Sequence, residues 1–302
     1  MRRLCSALAA GTASWLAAAQ PAKAEPDSRA PHVLFAPKPD ARPRLEWRFR
    51  RVQAWELYAT SGLAIAAVGA YAAGASADRW KGGIGFDDGA RGSLRPASYQ
   101  TRRSARDASD LTLALGVAQP MLGDGLLTSY WYHQSPDVAE QVLLINAETL
   151  AITIAVQTSV SSLASRERPY GDDCGAELDP ELNDCAKRDR YRSFFSGHAA
   201  TAFSAASVSC MHHLHLPLYG GGAADAASCA AGYALAGATS ALRVVGDMHY
   251  ASDVAVGAAW GTLAGLGVPW LLHYRHPQGS RRGAARVHLV PHPTGVAIGG
   301  AF

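Results

Sequence analysis

Three short segments, far apart in the chain, concentrate cations and imidazoles around a single carboxylate: Arg168-Pro169, Ser196-Gly197-His198, and Arg243 followed by His249 and Asp253. His249 and Asp253 are four residues apart, so on a helix they share a face, and the carboxylate is placed to accept a hydrogen bond from the imidazole Nδ1. Nε2 is then free as a nucleophile, while Asp253 fixes the tautomer and stabilises the positive ring that attack creates. Ser196-Gly197 ahead of an apolar run reads as a helix N-cap, whose free N–H groups and dipole suit an oxyanion. Gly197 permits close backbone approach, and His198 in the first turn is placed to give a proton to a leaving oxygen. Arg168 and Arg243 offer planar, permanently charged forks for the equatorial oxygens of a phosphoryl group.

Other residues invite chemistry less. His212, His213 and His215 end the same apolar run but lack a Cys or acid at ligand spacing, so an ordinary polar helix end is preferred to a metal site. Gly220-Gly221-Gly222 has no Lys-Ser/Thr beside it and reads as a turn rather than a phosphate cradle. Glu140 and Glu148 read as helix–helix hydrogen-bonding groups.

The order and spacing of the three segments resemble the type 2 phosphatidic acid phosphatase and vanadium haloperoxidase superfamily, whose signature is K-x6-R-P, P-S-G-H and S-R-x5-H-x3-D. Here the segments are Ser161-x6-Arg168-Pro169, Phe195-Ser196-Gly197-His198 and Leu242-Arg243-x5-His249-x3-Asp253, a likeness that covers about 138 to 274. The resemblance implies an all-α, six-helix fold and a phosphohistidine formed on His249, with Asp253 as its partner and His198 as the acid. It also implies that Arg168, Arg243, Ser196 and the Gly197 amide hold the phosphoryl oxygens, with no metal or other cofactor. Ser161 stands where the signature has its lysine, so one cation of the cage is missing. Arg166, two residues before Arg168, points elsewhere on a helix and is not assigned as the replacement.

The elements that must carry these groups are six apolar segments of helical length, near 55–77, 110–132, 138–164, 198–216, 224–245 and 251–274. The remainder divides into an export signal at 1–24, a Pro-rich linker with a basic aromatic segment at 25–52, the helical domain at 53–275 and a tail at 276–302. In the tail, Val287 to Val290 and Gly295 to Ile298 flank a Pro/Gly turn, as in a small β-hairpin. Leu45 to Arg51 suits a membrane surface or a solvated first helical turn.

Two early arginines, an Ala/Leu-rich run and Ala22-Lys23-Ala24 mark the signal. Its removal takes away Arg2, Arg3 and Lys23 and leaves 25 cations against 25 acids. A nucleic-acid partner needs a basic field, so that class is excluded. Export favours pairing of the four remaining cysteines. Cys174 and Cys185 bracket an acidic loop; Cys210 and Cys229 either face each other across a turn at 217–223 or stay as small buried thiols.

The runs 58–77 and 255–272 are uncharged, whereas 138–164 holds Glu140, Asn146 and Glu148, and the mean hydropathy is only −0.03. The leading expectation is an exported, membrane-attached phosphatase acting on a phosphomonoester or diphosphate, on a lipid for preference, with its site facing outward. The strain in that expectation is the basic stretch Arg79 to Arg106, which prefers the cytoplasm. Alternatives are a soluble periplasmic acid phosphatase on small esters, a vanadate-dependent halide oxidation that would also want the absent lysine, and a pseudophosphatase that binds phosphorylated lipid without turnover. Oligomeric state is not legible.

Overall fold

The computed structural model describes residues 43–76, 79–174, 185, 187–278, 286–292 and 295–301. The expected signal at 1–24 and most of the linker lie outside them. Among the described residues there are seven α-helices: α1 (Ala54–Ala73), α2 (Asp87–Leu94), α3 (Tyr99–Ala118), α4 (Pro136–Ala164), α5 (Gly197–His215), α6 (Ala223–Val245) and α7 (Ala251–Pro269). Wider π-helical turns prolong α3 through Gln119–Tyr132 and α7 through Trp270–Tyr274. The expected all-α bundle of six long helices is thus present, with the short α2 added. The tail forms β1 (Arg286–His292) and β2 (Gly295–Ala301), an antiparallel pair with Leu289 opposite Ile298.

Local chemistry sets the helix ends. The Gln53 N–H donates to the Glu56 carboxylate at 2.6 Å to start α1, and the Tyr250 N–H donates to Asp253 at 3.0 Å to start α7. The Ser196 hydroxyl accepts from the Ala199 N–H at 3.4 Å, the N-cap expected for α5. Ser165 ends α4 in the left-handed region, so Arg166 to Arg168 run extended instead of continuing the helix.

α5 is the central helix, packed against α3, α4, α6 and α7. Its contact with α7 is nearly backbone to backbone. A Cβ on Gly257 would lie 2.6 Å from the Ser196 carbonyl oxygen, and one on Gly265 2.6 Å from the Ser204 carbonyl, with Gly261 equally confined against Ala200. This stripe of glycines spaced four apart lets α7 lie flat on α5, and the Ser196 N–H reaches the Asp253 carbonyl at 3.0 Å. The second and third motifs are thereby locked together.

The main apolar cluster joins Val138, Val142 and Ile145 of α4 to Val208 and Met211 of α5, with Leu218, Tyr274 and Trp47. Trp47 belongs to the segment expected on a membrane surface or in a solvated helical turn, and the segment is not helical. Leu45 to Val52 run extended, with Leu45, Phe49 and Val52 packed on this cluster and the Arg50 N–H bonded to the His276 carbonyl at 3.1 Å. The side chains carried over the core are apolar, two of them aromatic, so burial outweighs the basic character of the intervening residues.

Polar groups inside the bundle pair with one another. Asn146 bonds His212 and the Pro120 carbonyl, and Glu148 meets His273 at 3.1 Å. His212 and His213 are buried rather than forming a solvated helix end: Asn146 and Tyr274 bond His212, while His213 contacts Asp225 of α6 and lies 3.3 Å from Asp124 in the π-helical continuation of α3, acids the sequence spacing does not show. Disulfides join Cys174 to Cys185 and, across α5 and α6, Cys210 to Cys229.

Candidate active site

The loop from Gly246 to Tyr250 delivers His249, and its shape is imposed from α2 and α3. Asp247 takes a positive φ of 58° and its buried carboxylate accepts hydrogen bonds from Arg91 and Arg95, both at 2.7 Å. Arg106 donates to the Gly246 carbonyl at 2.7 Å. On the α7 side, Asp87 receives the Ser252 N–H at 2.8 Å. The arginines between 79 and 106 that read as a free basic loop are therefore committed in good part to holding the site.

The His249 side chain is buried, and its Nδ1 lies 2.8 Å from the Ser193 carbonyl oxygen. A carbonyl only accepts, so Nδ1 carries the proton and Nε2 keeps its lone pair. This differs from the expected Asp253 contact, since the nearer Asp253 oxygen is 3.9 Å from Nδ1. The Asp253 carboxylate instead accepts from Ser193 Oγ at 2.5 Å, the Tyr250 N–H at 3.0 Å and Arg166 at 2.6 Å. The reason is that Asp253 caps its own helix while the extended segment after α4 brings Arg166 against it. Ser193 bridges the two, through its carbonyl to His249 and its hydroxyl to Asp253.

Arg166 is fully buried, held by Asp253 and Asp87 and stacked between the rings of Trp80 and Tyr250 at 4.4 and 4.1 Å. These partners keep it off the cavity that Arg168 lines, although the segment is not the helix expected from the sequence. Of the two carboxylates, only Asp253 is near the imidazole, with one oxygen 3.9 Å from His249 Nδ1.

A cavity of about 180 Å³ brings together Ser161, Arg168, Gly197, His198 and His249 with Tyr71, Gln157, Thr158, Asp189 and Arg192. Arg168 Nε is spent on the Asp189 carbonyl at 2.8 Å, but its Nη1 is buried and has no hydrogen-bond partner. Arg243 is buried too, with one bond of 3.2 Å to Asp110 and an unpartnered Nε. The Ser196 hydroxyl accepts the Ala199 N–H as N-cap and keeps its own proton to donate, although Ser196 is not among the residues that line the cavity. Gly197 sits close to Gln157, 3.1 Å from where a Cβ would be.

Burial, then the charges of Arg168 and Arg243, push the His249 pKa well below the ordinary histidine range. Burial and Arg243 likewise push His198 down to about 4, although its Nε2 is bonded to Asp110 at 2.7 Å. Burial, followed by Arg168, brings Arg243 down to about 9. In each case burial is the larger cause and a neighbouring guanidinium the next, so these groups are both desolvated and set among positive charges. Such a site can accept a phosphoryl group and present one neutral imidazole nitrogen to it.

Asp110 and Arg192 were not marked by the motifs. Asp110 ends the polar half of α3 and grips both His198 and Arg243, a role visible only once α3 lies beside α5 and α6. Arg192 stands six residues before His198, outside every motif.

Residues 142–277 match the family model described as the PAP2 superfamily. A stretch of 89 residues is 39% identical to a protein named lipid A 1-phosphatase from Porphyromonas gingivalis, covering 29% of this chain and 18% of that protein. Among solved structures, a transmembrane PAP2-type phosphatidylglycerolphosphate phosphatase from Bacillus subtilis aligns over 72% of this chain and 94% of its own, at 16% identity and a TM-score of 0.45.

Proposed function

Residues 142–277 place this chain in the PAP2 superfamily, and from that premise we propose that it is a phosphatase acting on a phosphorylated lipid through a phosphohistidine intermediate. The observation that carries the lipid reading is the wall of the site. Tyr71 and Thr158 line the cationic cavity and also a second, apolar groove of about 410 Å³ between α1 and α4, whose other walls include Val68, Ala151 and Ile154. The two share a wall at Tyr71 and Thr158, so a lipid whose head-group phosphate occupies the cavity has an apolar groove beside it for its hydrocarbon chain. A small soluble ester has no use for it.

His249 Nε2 attacks phosphorus and the bond to the leaving oxygen breaks as the P–N bond forms. Arg168, Arg243 and the N–H groups opening α5 hold the three peripheral oxygens, supplying the positive charge that other phosphoryl-transfer sites draw from a metal. The ring becomes cationic, with the Ser193 carbonyl on Nδ1 and the Asp253 carboxylate nearby to stabilise it. His198 is neutral in the empty site and its proton faces Asp110. A bound phosphate dianion offsets Arg243 and raises its pKa, so that it enters the reaction protonated and gives its proton to the departing oxygen. Water then attacks the phosphohistidine, His198 takes its proton back, and phosphate leaves.

Two helical stretches, Pro136–Ala164 and Ala251–Tyr274, are long and apolar enough to cross a bilayer. Leu111, Leu115, Leu126, Trp131, Leu263 and Trp270 add large apolar side chains to the exposed surface. Membrane attachment with an outward-facing site fits these features, and the two disulfides favour an oxidising compartment.

The test is phosphate release from lipid A, a phosphatidate, an isoprenyl diphosphate and an aryl phosphate, with EDTA present and His249→Ala as control. EDTA-resistant turnover that prefers a lipid and disappears in the control supports the proposal. Preference for the aryl phosphate removes the lipid assignment, and turnover surviving in His249→Ala removes the mechanism.

A further inference from the structure

Ser161 leaves the signature one cation short, yet the cavity it lines contains another. Arg192 follows the 3-10 turn Arg188–Tyr191, and its side chain is buried. Its Nη2 donates to the Tyr71 carbonyl at 2.5 Å, and the guanidinium lies over the Tyr71 ring, 3.8 Å from the centroid. Nε and Nη1 are buried without a hydrogen-bond partner. The nearest carboxylate, Asp189, is 3.9 Å from Nε and half exposed, too far for a hydrogen bond. Buried guanidinium donors are normally satisfied, so two unmatched ones on a cavity wall mark a place for an acceptor with several oxygens.

We propose that Arg192 is a phosphoryl-binding residue that supplies, from the segment before α5, the positive charge absent at position 161. The inference rests on the phosphatase reading. With Arg168 and Arg243 it makes a third guanidinium with free donors, matching the charge of a phosphate dianion or a terminal diphosphate. Its grip on Tyr71 places it at the wall that the apolar groove shares with the cavity. The phosphoryl oxygen it binds is therefore the one facing the lipid chain, and the end of α1 is held at the same point.

A structural role for Arg192, joining the loop to α1, needs the Tyr71 contact but no charge in the cavity. Arg192→Met keeps the stem against Tyr71 and removes the charge. Ser161→Lys returns a cation from α4, with no contact to the Tyr71 carbonyl. Inorganic phosphate binding by calorimetry, turnover of the preferred substrate and thermal unfolding are measured for the native protein, Arg192→Met, and the Ser161→Lys/Arg192→Met double variant.

Expected for Arg192→Met is a loss of about 100-fold in kcat/KM and a weakened phosphate affinity, with little change in melting temperature. The double variant recovers at least about tenfold in both functions, as a relocated charge should. Phosphate affinity and turnover unchanged in Arg192→Met overturn the proposal. So does a loss that comes with a lowered melting temperature and no recovery in the double variant. Native protein that binds phosphate through Arg192 but hydrolyses no substrate overturns the phosphatase reading and leaves the anion site standing.

Discussion

Gly257→Ala adds one methyl group where α7 crosses α5 directly beneath the site. That methyl carbon would sit 2.6 Å from the Ser196 carbonyl oxygen and 3.2 Å from the Ala199 Cβ. Carbon–oxygen contacts settle at about 3.3 Å, so the helices must part by roughly 0.7 Å. Both obstacles belong to the α5 N-terminus, one backbone and one a Cβ, and neither can rotate aside. Overpacking of this kind costs about 1–3 kcal/mol, offset by the roughly 0.5–1 kcal/mol that alanine contributes over glycine in a helix. The net loss is about 0.5–2 kcal/mol, or roughly 2–6 °C in melting temperature for a chain of this size. Because the Ser196 N–H to Asp253 carbonyl bond spans the same gap, His198 and the α5 amides move relative to His249. Displacements approaching 1 Å cost up to about a hundredfold in rate, so kcat/KM falls by roughly tenfold or more. Gly267→Ala is the control. It lies on the same helix with nothing within 4 Å of its added carbon, and it should be neutral or stabilise by about 0.5 kcal/mol. Thermal unfolding and turnover in detergent measure both variants. Equal melting temperatures and equal kcat/KM would refute the backbone-contact reasoning.

The low His249 pKa keeps the nucleophile neutral into acid, so the acid limb of kcat/KM should lie below pH 6.5. Arg168→Gln or Arg243→Gln removes a repelling cation and moves that limb upward; a pH–rate profile in which the limb stays put or moves down counts against the cationic cage. His198→Ala should cost about 10²–10⁴-fold on alkyl phosphates and far less on aryl phosphates, whose oxygen leaves without a proton. A loss independent of leaving group would remove its role as acid. Asp253→Asn should preserve the Nδ1–H tautomer in nitrogen-15 histidine spectra, since the Ser193 carbonyl remains. It should still reduce stability by about 3 kcal/mol, the cost of breaking a buried pair with Arg166. A switched tautomer would restore Asp253 as the direct partner of His249.

The six long helices were legible because alanine- and leucine-rich runs of that length have few other ways to bury themselves, and the three motifs because spacing within one turn survives folding. What escaped were the contacts between elements. Arg79 to Arg106 reads as a positive loop until Asp247 and the Gly246 carbonyl, both distant in sequence, are seen to accept from it. His213 looks like a helix-end histidine until α3 contributes Asp124. The i,i+4 spacing of His249 and Asp253 correctly predicts a shared neighbourhood but not a bond, since Ser193 and Arg166 reach each group first. One signal was available and unread: glycines at 257, 261 and 265 announce a close helix crossing.

The arrangement of charge follows from these connections. Arg91, Arg95 and Arg166 are saturated by buried carboxylates, and all three act on backbone placement. Arg168, Arg192 and Arg243 have one or two bonds each and retain buried, unmatched donors; Arg168 and Arg192 line the cavity, and Arg243 acts on its two histidines from outside the lining. A fold that satisfied every arginine would be more stable empty, because each unmatched buried donor carries a desolvation cost of about 1–3 kcal/mol. The saturated set makes that cost sustainable by fixing the loop, α5 and α7 against one another, so the cavity does not relax to pair its own donors. The ligand that matches them must therefore be an oxyanion. The neutral Nε2 of His249, the one lone pair that the Ser193 carbonyl holds open toward that oxyanion, is what turns an anion site into a candidate for phosphoryl transfer.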